Sequence, residues 1–165
     1  MDLAFVYGPV MLGDRYIDFD NLFSSDRGLT GSELSCIMYS KEMAALGHKV
    51  TLYCPSQTPF NLCKQVEWQG VRLKEITYLT SSKHQVYYVW NEPDTFRVVP
   101  KTSLRILNQQ VNDFSYTTSN FYEYVDIYTS PSYSHREHIK QFTPKGSRWE
   151  VIYNGCDPDI YNLDS

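Results

Sequence analysis

The segment Gly28–Glu33 (GLTGSE) combines glycines, hydroxyls and a carboxylate at the start of a predicted helix. Thr30 and Glu33 have the spacing of a capping box, in which the hydroxyl accepts a hydrogen bond from one unpaired amide and the carboxylate accepts from another. Gly28 and Gly31 leave helix-start amides accessible, and such amides bind anions at the positive end of the helix dipole. The segment is therefore either an ordinary helix start or a phosphate site. It lacks both the G-x-G-x-x-G fingerprint and the G-K-[ST] of a P-loop.

Two further polar segments follow predicted strands and could contact a ligand. Trp90–Asp94 (WNEPD) either hydrogen-bonds sugar hydroxyls or simply forms a turn before the rest of the chain continues. Asn108–Phe114 (NQQVNDF) is dense in amides. Because burying a polar group without a partner costs about 1–3 kcal/mol, we expect these amides to face a ligand cleft or solvent.

The histidines and cysteines do not assemble into a metal or nucleophile site in the sequence. The i,i+3 pair His135 and His138 can bind a metal ion, but no third ligand is evident, and the alternative is a partly packed helix face shared with Ile139 and Phe142. We predict no metal site. The cysteines have no C-x-x-C spacing and are interpreted as reduced structural thiols: Cys36, Cys54, Cys63 and Cys156.

Apolar runs separated by turn residues predict the elements that carry these segments. The first helix is predicted over Ser32–Leu46, with Gly47 as its C′ residue. A second helix is predicted with Ser130 as N-cap and Pro131 at its first position. The predicted core-facing residues of the first helix are Leu34, Ile37, Met38 and Ala45. Strands are predicted at Leu3–Pro9, His48–Cys54, Gly70–Tyr78, Gln85–Asp94, Ser103–Asp113, Val125–Ser130 and Arg148–Asp157.

This order of elements predicts an α/β fold. A strand, a helix and a second strand with a short joint form a βαβ unit, which requires parallel strands. We therefore expect a single Rossmann-like domain over residues 1–165, with an open, mostly parallel sheet flanked by helices. In such sheets, ligands bind at the carboxyl ends of the strands.

Composition excludes several classes of protein. The apolar share of 42% and the charged share of 21% are those of a globular chain. The net charge of -4 provides no electrostatic footprint for nucleic acid. No apolar run reaches the roughly 18–20 residues of a membrane span, and the first residues lack a basic signal region. We expect a cytoplasmic protein, and contact with the inner membrane surface stays compatible with the sequence.

Taken together, these motifs resemble the amino-terminal half of a GT-B-fold glycosyltransferase of the retaining group 1 kind, the fourth glycosyltransferase family. The resemblance covers nearly the whole chain. It rests on TGSE at Thr30–Glu33, YSKEMAALGHKVTLY at Tyr39–Tyr53, VDIYTSPSYSHREHI at Val125–Ile139 and WEVIYNGCDPDIY at Trp149–Tyr161. Members of the family carry a Gly-Gly-x-Glu loop before a helix that ends in A-x-x-G-H-x-V-T, and a strand ending in I-x-N-G-V-D closes their first domain.

The resemblance implies a role for each candidate residue. The backbone amides of Gly31 and Ser32 would bind the donor phosphates, and Glu33 would be a positioning and capping residue. Acceptor binding is assigned to Asn91 and Asp94, and the interdomain hinge beside the donor to Asn154 and Gly155. The substrate would be a nucleotide sugar, with a sugar, glycan, lipid or protein as acceptor and with no cofactor or metal. The acceptor would attack from the face that the diphosphate leaves, so that configuration is retained.

The sequence departs from the family at three points. Thr30 stands where many members have the first glycine of the loop. Asn112 and Asp113 stand where the fifth strand usually ends in a histidine–aspartate pair close to the reacting sugar. The resemblance therefore makes them the predicted catalytic pair, although an asparagine cannot titrate near neutral pH. The chain also stops about where a donor-binding carboxy-terminal domain would begin. We therefore expect an excised domain or truncated product with little or no transferase activity alone.

Two other functions remain open from the sequence. The first alternative is a non-catalytic module that binds a glycan or nucleotide. The second is a Rossmann oxidoreductase or nucleotide-dependent epimerase, which the missing dinucleotide fingerprint disfavours.

Overall fold

The computed structural model describes residues 1–7, 19, 22, 30–54, 67–112 and 120–155. In these ranges the strands are β1 (Asp2–Tyr7), β2 (Lys49–Cys54), β3 (Glu67–Trp68), β4 (Val71–Glu75), β5 (Val86–Trp90), β6 (Leu104–Asn108), β7 (Ile127–Ser130) and β8 (Trp149–Val151). The α-helices are α1 (Gly31–Ala45) and α2 (Tyr133–Ile139). Short 3-10 helices span Ile76–Ser81, Pro93–Arg97, Asn120–Tyr124 and Lys140–Phe142.

The described strands form one eight-stranded sheet in the order β3-β4-β2-β1-β5-β6-β7-β8. All neighbouring pairs are parallel except β3 and β4. The predicted Rossmann-like, mostly parallel α/β sheet is therefore confirmed. Strand β3 was not predicted, because it is a two-residue partner of β4 in a hairpin whose turn residues Gln69 and Gly70 have φ of 50° and 78°.

The core lies on both faces of the sheet. One cluster includes Phe5, Leu52 and Trp90 and packs against α1, while a second includes Tyr53 and Leu107. The predicted alternation of Val50, Leu52 and Cys54 is confirmed, since all three belong to the cluster beside α1. Both faces of β2 are buried, as expected for an interior strand of a parallel sheet.

Helix α1 matches the predicted position but not the predicted core face. Ile37 is buried, whereas Leu34 and Met38 are half-buried and Ala45 is exposed. The prediction for Ala45 is therefore wrong. The buried face instead carries small or polar side chains, which the spacing of apolar residues does not reveal: Glu33, Ser35, Cys36 and Ser40. The side chains of Glu33, Ser35 and Ser40 form hydrogen bonds there.

The carboxyl end of α1 is a Schellman motif, in which two amides after the helix bond back to its last turn. Gly47 donates to the Ala44 carbonyl at 2.9 Å and His48 donates to the Met43 carbonyl at 3.2 Å. Gly47 has φ of 83°, where a side chain would be strained. The prediction of Gly47 as the C′ residue is confirmed.

The predicted start of α2 is wrong by two residues. Ser132 is the N-cap, and its hydroxyl accepts from the His135 amide at 3.1 Å. Ser130 instead ends β7, where its carbonyl accepts from the Ile152 amide at 2.9 Å beyond the end of β8. Pairing with β8 keeps Ser130 extended, so the helix cannot begin there.

The carboxyl ends of several strands also lie earlier than predicted. Strand β4 ends at Glu75 because a 3-10 helix begins at Ile76, and β6 ends at Asn108. Strand β5 ends at Trp90, since Asn91 has φ of 58° and cannot continue an extended strand. The segments beyond these strands are irregular backbone, where binding residues are common.

Two cysteines lie in the described residues, and both are free and buried: Cys36 and Cys54. Burial raises the pKa of Cys54 to about 12, with a smaller contribution from Glu75. A thiol with such a pKa is unreactive at neutral pH. No helix in the described part of the chain is long and apolar enough to cross a membrane.

Candidate functional site

The candidate site lies at the carboxyl edge of the sheet between β1 and β5. The chain builds one half of the sheet outward from β1 through β2 and β4, and then returns to place β5 on the other side of β1. Open α/β sheets bind ligands at such a reversal of strand order, because the loops after the two strands diverge and leave a crevice. The residues at these two strand ends are Tyr7 and Asn91.

The amino end of α1 lies after β1 and contains the predicted capping box. The Thr30 hydroxyl accepts from the Glu33 amide at 3.3 Å, and the Glu33 carboxylate accepts from the Thr30 amide at 2.5 Å. Glu33 is 3% exposed, in keeping with a capping role. Within the described residues, the amides of Gly31 and Ser32 have no hydrogen-bond acceptor.

The Tyr7 hydroxyl joins this helix start. Burial raises the pKa of Tyr7, as do the nearby Glu33 and Cys36, while the side chains of Thr30 and Ser32 oppose the rise. Tyr7 is therefore a neutral phenol near pH 7. It lies near the first turn of α1.

Asn91 connects the helix start to the end of β6. Its side-chain amide donates to the Ser32 hydroxyl at 3.0 Å, and its carbonyl oxygen accepts from the Gln110 backbone amide at 2.7 Å. Its φ of 58° lies in the left-handed region, which asparagine tolerates better than most residues. The predicted acceptor residue Asn91 is thus adjacent to the predicted phosphate residue Ser32.

A second group of polar contacts brings in the end of the described chain. The Gln110 side-chain amide donates to the Asn154 side-chain oxygen Oδ1 at 2.9 Å and to the Ser35 hydroxyl at 3.3 Å. The Ser35 hydroxyl also donates to Asn154 at 3.1 Å. Gly155 is exposed beside it. The predicted hinge residues therefore lie beside the first turns of α1.

Two carboxyl groups follow Asn91. The predicted acceptor residue Asp94 is exposed in the first turn of the 3-10 helix that Pro93 begins. Glu92, which sequence reasoning did not select, is 9% exposed. Burial, and then the charge of Asp94, raise the pKa of Glu92 to about 7. Its position between an asparagine and a proline, directly after an apolar strand, was the sequence signal that could have identified it.

The amides after β6 do not all face a cleft or solvent as predicted. Asn108 and Gln109 are buried, at 3% and 1% exposure. Neither polar atom of the Gln109 side chain has a hydrogen-bond partner among the described residues. The prediction failed for Gln109 because its backbone amide pairs with the Thr129 carbonyl at 2.9 Å, which extends the sheet and carries the side chain into the interior.

The predicted catalytic pair lies at the limit of the described chain. Asn112 is exposed, four residues after the end of β6, and Asp113 lies outside the described residues. His135 is half-buried at the start of α2, and its Nδ1 lies 2.8 Å from the Ser130 hydroxyl. Burial lowers the pKa of His135, and the nearby Val111 backbone has the smaller, opposite effect. The buried Nε2 atom of His135 has no hydrogen-bond partner of standard geometry among the described residues.

The histidine pair on α2 lies on a partly packed face of the helix. Ile139 is buried on this helix, and the exposed His138 ring packs edge-on to Phe142 with ring centroids 6.0 Å apart. No cluster of three His, Cys, Asp or Glu side chains suited to a metal ion occurs in the ranges that the structure describes.

The fold is shared with a solved structure, that of HepE from Anabaena in complex with UDP-glucose. The match covers 98% of this chain with a TM-score of 0.57 and 14% sequence identity. The chain spans 46% of the length of that HepE structure. No protein-family model and no curated protein matches the sequence. The chain therefore has a Rossmann-like α/β fold of the kind seen in one part of a protein solved with UDP-glucose bound.

Proposed function

We propose that this chain is the acceptor-side domain of a retaining glycosyltransferase that takes its sugar from a nucleotide-sugar donor. The observation that carries the proposal is that the amides of Gly31 and Ser32 have no hydrogen-bond acceptor among the described residues, at the strand-order reversal of a fold shared with a UDP-glucose complex. A second domain, outside residues 1–165, would hold most of the donor. The described chain supplies one wall of the cleft.

In this proposal the donor diphosphate lies at the amino end of α1. The capping box already occupies the amides of Thr30 and Glu33, so the amides of Gly31 and Ser32 are the ones left to hold a phosphate oxygen. A Cβ added at Gly31 would meet no atom within 4 Å, which leaves room for a ligand to approach. Preorganised amides of this kind stabilise the charge of a leaving diphosphate.

The acceptor lies on the other side of Asn91 in this proposal. Asn91 and Asp94 bind its hydroxyls, and Asn112 and Asp113 lie next to the reacting sugar. Asn91 also contacts Ser32, so the same side chain couples the donor and acceptor parts of the site. Asn154 and Gly155 form the hinge to the second domain.

The phosphate role can be tested on the chain itself by titrating UDP into 15N-labelled protein. We expect the largest amide shifts at Gly31 and Ser32, with a dissociation constant near the millimolar range, which corresponds to about -4 kcal/mol. Uridine, which lacks the phosphates, is the matched control and should leave both amides unmoved. Equal shifts with uridine and UDP would contradict the phosphate role.

Replacing Gly31 by leucine separates ligand access from folding. Because nothing crowds this position, and because a side chain improves helix propensity by up to about 1 kcal/mol, Gly31→Leu should fold at least as stably as the wild type. We expect it to lose the UDP-induced shift at Ser32. Ala45→Leu, at the exposed opposite end of α1, is the control for an added leucine. Unchanged UDP binding by Gly31→Leu would contradict the proposal.

The transfer reaction itself requires the longer polypeptide that joins this chain to a donor domain. We expect UDP- or GDP-sugars to be hydrolysed or transferred by that polypeptide, with retained anomeric configuration in the product, and only weakly by residues 1–165 alone. Product analysis by NMR measures both outcomes. Inversion at the anomeric carbon would contradict the retaining mechanism.

A non-catalytic binding module is the second candidate function. It is favoured by Asn112, which is exposed and cannot exchange a proton near neutral pH. The two functions differ in one measurement, because a binding module in its longer polypeptide would bind UDP-sugars without consuming them.

A further inference from the structure

A series of hydrogen bonds runs from the segment after β6 to the first turn of α1. The Gln110 backbone amide donates to the Asn91 side-chain oxygen Oδ1 at 2.7 Å, and Asn91 Nδ2 donates to the Ser32 hydroxyl oxygen at 3.0 Å. Both distances are those of ordinary hydrogen bonds. The segments that follow β6, β5 and β1 are therefore connected through side-chain groups, and the series ends at one hydroxyl.

The direction of donation in this series is fixed by the chemistry of the groups. A backbone amide can only donate, so the Asn91 atom that faces it is the oxygen, and the other end of the carboxamide is the NH2 group. A carboxamide NH2 group only donates, so the Ser32 oxygen accepts from it. The hydroxyl proton of Ser32 therefore points away from Asn91.

This hydroxyl proton has no acceptor in the ranges that the structure describes. The hydrogen bond from Asn91 is the one that joins the Ser32 hydroxyl to another described residue at standard geometry. The Tyr7 side chain lies nearby, but no hydrogen bond of standard geometry joins it to Ser32. Ser32 is half-buried, so its hydroxyl is within reach of a ligand in the crevice between β1 and β5.

A series that ends in a donor selects a ligand atom that accepts. A phosphate oxygen is such an atom, and its negative charge strengthens each hydrogen bond that it receives. The hydrogen bond from Asn91 polarises the Ser32 hydroxyl and strengthens its donation to the ligand, because hydrogen bonds in series reinforce one another. The hydroxyl belongs to the same residue as one of the two amides already assigned to the diphosphate.

We propose that the Ser32 hydroxyl donates a third hydrogen bond to the donor diphosphate, beside the amides of Gly31 and Ser32, and that Asn91 is the positioning residue that directs its proton. This inference rests on the proposed function and adds a side-chain donor to the proposed phosphate site. Asn91 acts on the diphosphate through Ser32, which is separate from its proposed contact with the acceptor.

The test is an NMR titration of UDP into 15N-labelled variants of the chain, followed at the Gly31 amide. Ser32→Ala should weaken UDP binding about tenfold, as expected for loss of a hydrogen bond to a charged group. Ser32→Thr keeps the hydroxyl and should retain most of the affinity. Asn91→Gly, which accommodates the φ of 58° at this position, should weaken binding about threefold because the hydroxyl proton is no longer directed.

A double-mutant cycle separates positioning from a merely structural role. If Asn91 acts through Ser32, Asn91→Gly should not change UDP affinity further in a chain that already carries Ser32→Ala. A general loosening of the fold would instead weaken binding equally with and without the Ser32 hydroxyl. Gln141→Ala, which truncates an exposed carboxamide bonded to the His138 carbonyl, is the control and should leave UDP affinity unchanged.

The outcomes for this inference and for the proposed function are distinguishable. Wild-type UDP affinity in Ser32→Ala, or equal weakening by Asn91→Gly in both backgrounds, would overturn the inference. If UDP still shifts the Gly31 amide in the wild type while either result is found, the proposed donor role stands on the backbone amides alone. If UDP does not bind to the wild type, the inference and the proposed function both fail.

Discussion

Folding shifts the pKa values of two carboxyl groups in this chain in opposite directions, and each shift makes the stability of the fold depend on pH. Burial raises the pKa of Glu92 to about 7, assisted by Asp94. Burial alone would also raise the pKa of Asp126, but hydrogen bonds from the side chain and backbone of Arg105 outweigh it and lower that pKa. The difference lies in the partner, since Glu92 has none among the described residues.

Neutralising Glu92 should remove a pH-dependent loss of stability. The folded state binds the Glu92 proton more tightly than the unfolded state, so this group destabilises the fold as the pH rises from its ordinary pKa of 4.5 to about 7. We expect Glu92→Gln to gain stability relative to wild type across that range and to keep the gain at higher pH. Urea unfolding of both proteins at about pH 5 and about pH 8 measures this difference. A difference that is the same at both pH values would contradict the assignment.

Neutralising Asp126 should have the opposite pH dependence. Its carboxylate accepts from the Arg105 backbone amide at 2.8 Å and from the guanidinium at 3.0 and 3.2 Å. With a lowered pKa, this group stabilises the fold above its ordinary value of 3.8 and loses that contribution as the pH falls through the folded-state pKa. Asp126→Asn should cost about 1 kcal/mol near pH 7, because the pair is partly exposed, and less in high salt.

The same unfolding series checks this prediction, with Glu67→Gln as a control on an exposed carboxylate. If Asp126→Asn lowered stability equally near pH 7 and at pH values below the folded-state pKa, the ion pair would not be the cause.

At the scale of elements, helix α1 is closed at both ends by local hydrogen bonds. The capping box of Thr30 and Glu33 satisfies two amides at its amino end. The Schellman motif at Gly47 satisfies two carbonyls at its carboxyl end. A helix closed in this way keeps its first turn in place, so that the Gly31 and Ser32 amides stay available to a ligand.

Removing the Thr30 hydroxyl should destabilise α1 without a long-range effect. Thr30→Ala should cost about 1 kcal/mol of unfolding free energy, the usual value for loss of an N-cap hydroxyl. Thr30→Ser keeps the acceptor atom and should retain most of the stability. Chemical unfolding followed by circular dichroism compares the two variants. Equal stability of Thr30→Ala and Thr30→Ser would show that the side-chain cap contributes little here.

At the scale of the whole molecule, the sheet joins segments that are far apart in the chain. Asn154 contacts Ser35 and Gln110, so the described carboxyl end lies on the first turns of α1. The Tyr39 hydroxyl adds a bond to the Tyr153 carbonyl at 2.9 Å. These contacts place the proposed hinge beside the proposed donor site.

Truncating Asn154 should loosen this connection and leave the sheet intact. Ser35 and Gln110 keep a 3.3 Å hydrogen bond to each other, so Asn154→Ala should cost under about 1 kcal/mol of global stability. We expect faster hydrogen exchange at residues 153–155 and unchanged exchange in β1 and β5. Ser81→Ala, which removes an exposed hydroxyl bonded to the Tyr78 carbonyl, is the control. Unchanged exchange at residues 153–155 would contradict the anchoring role.

The parts of the structure that were predictable are those set by neighbours in the chain. The capping box involves residues three apart, the glycine end of α1 requires one left-handed residue, and the alternation along β2 is a property of a single strand. Strand β3 and the start of α2 were missed because pairing with β4 and β8 decides them. Burial of Glu92 and Gln109 was missed because it depends on how adjacent strand ends pack.

The amino-acid sequence by itself determined the α/β class, the βαβ start and the capping box at the beginning of the first helix. Those features follow from backbone sterics and hydrogen bonds that act over a few residues. Only the tertiary structure decided that Ser32, Asn91, Gln110 and Asn154 lie in one connected candidate site, and that Glu92 and Gln109 are buried. The physical reason is the strand order, because β1 lies between β2 and β5 and the parallel ladders bring distant segments to the same edge.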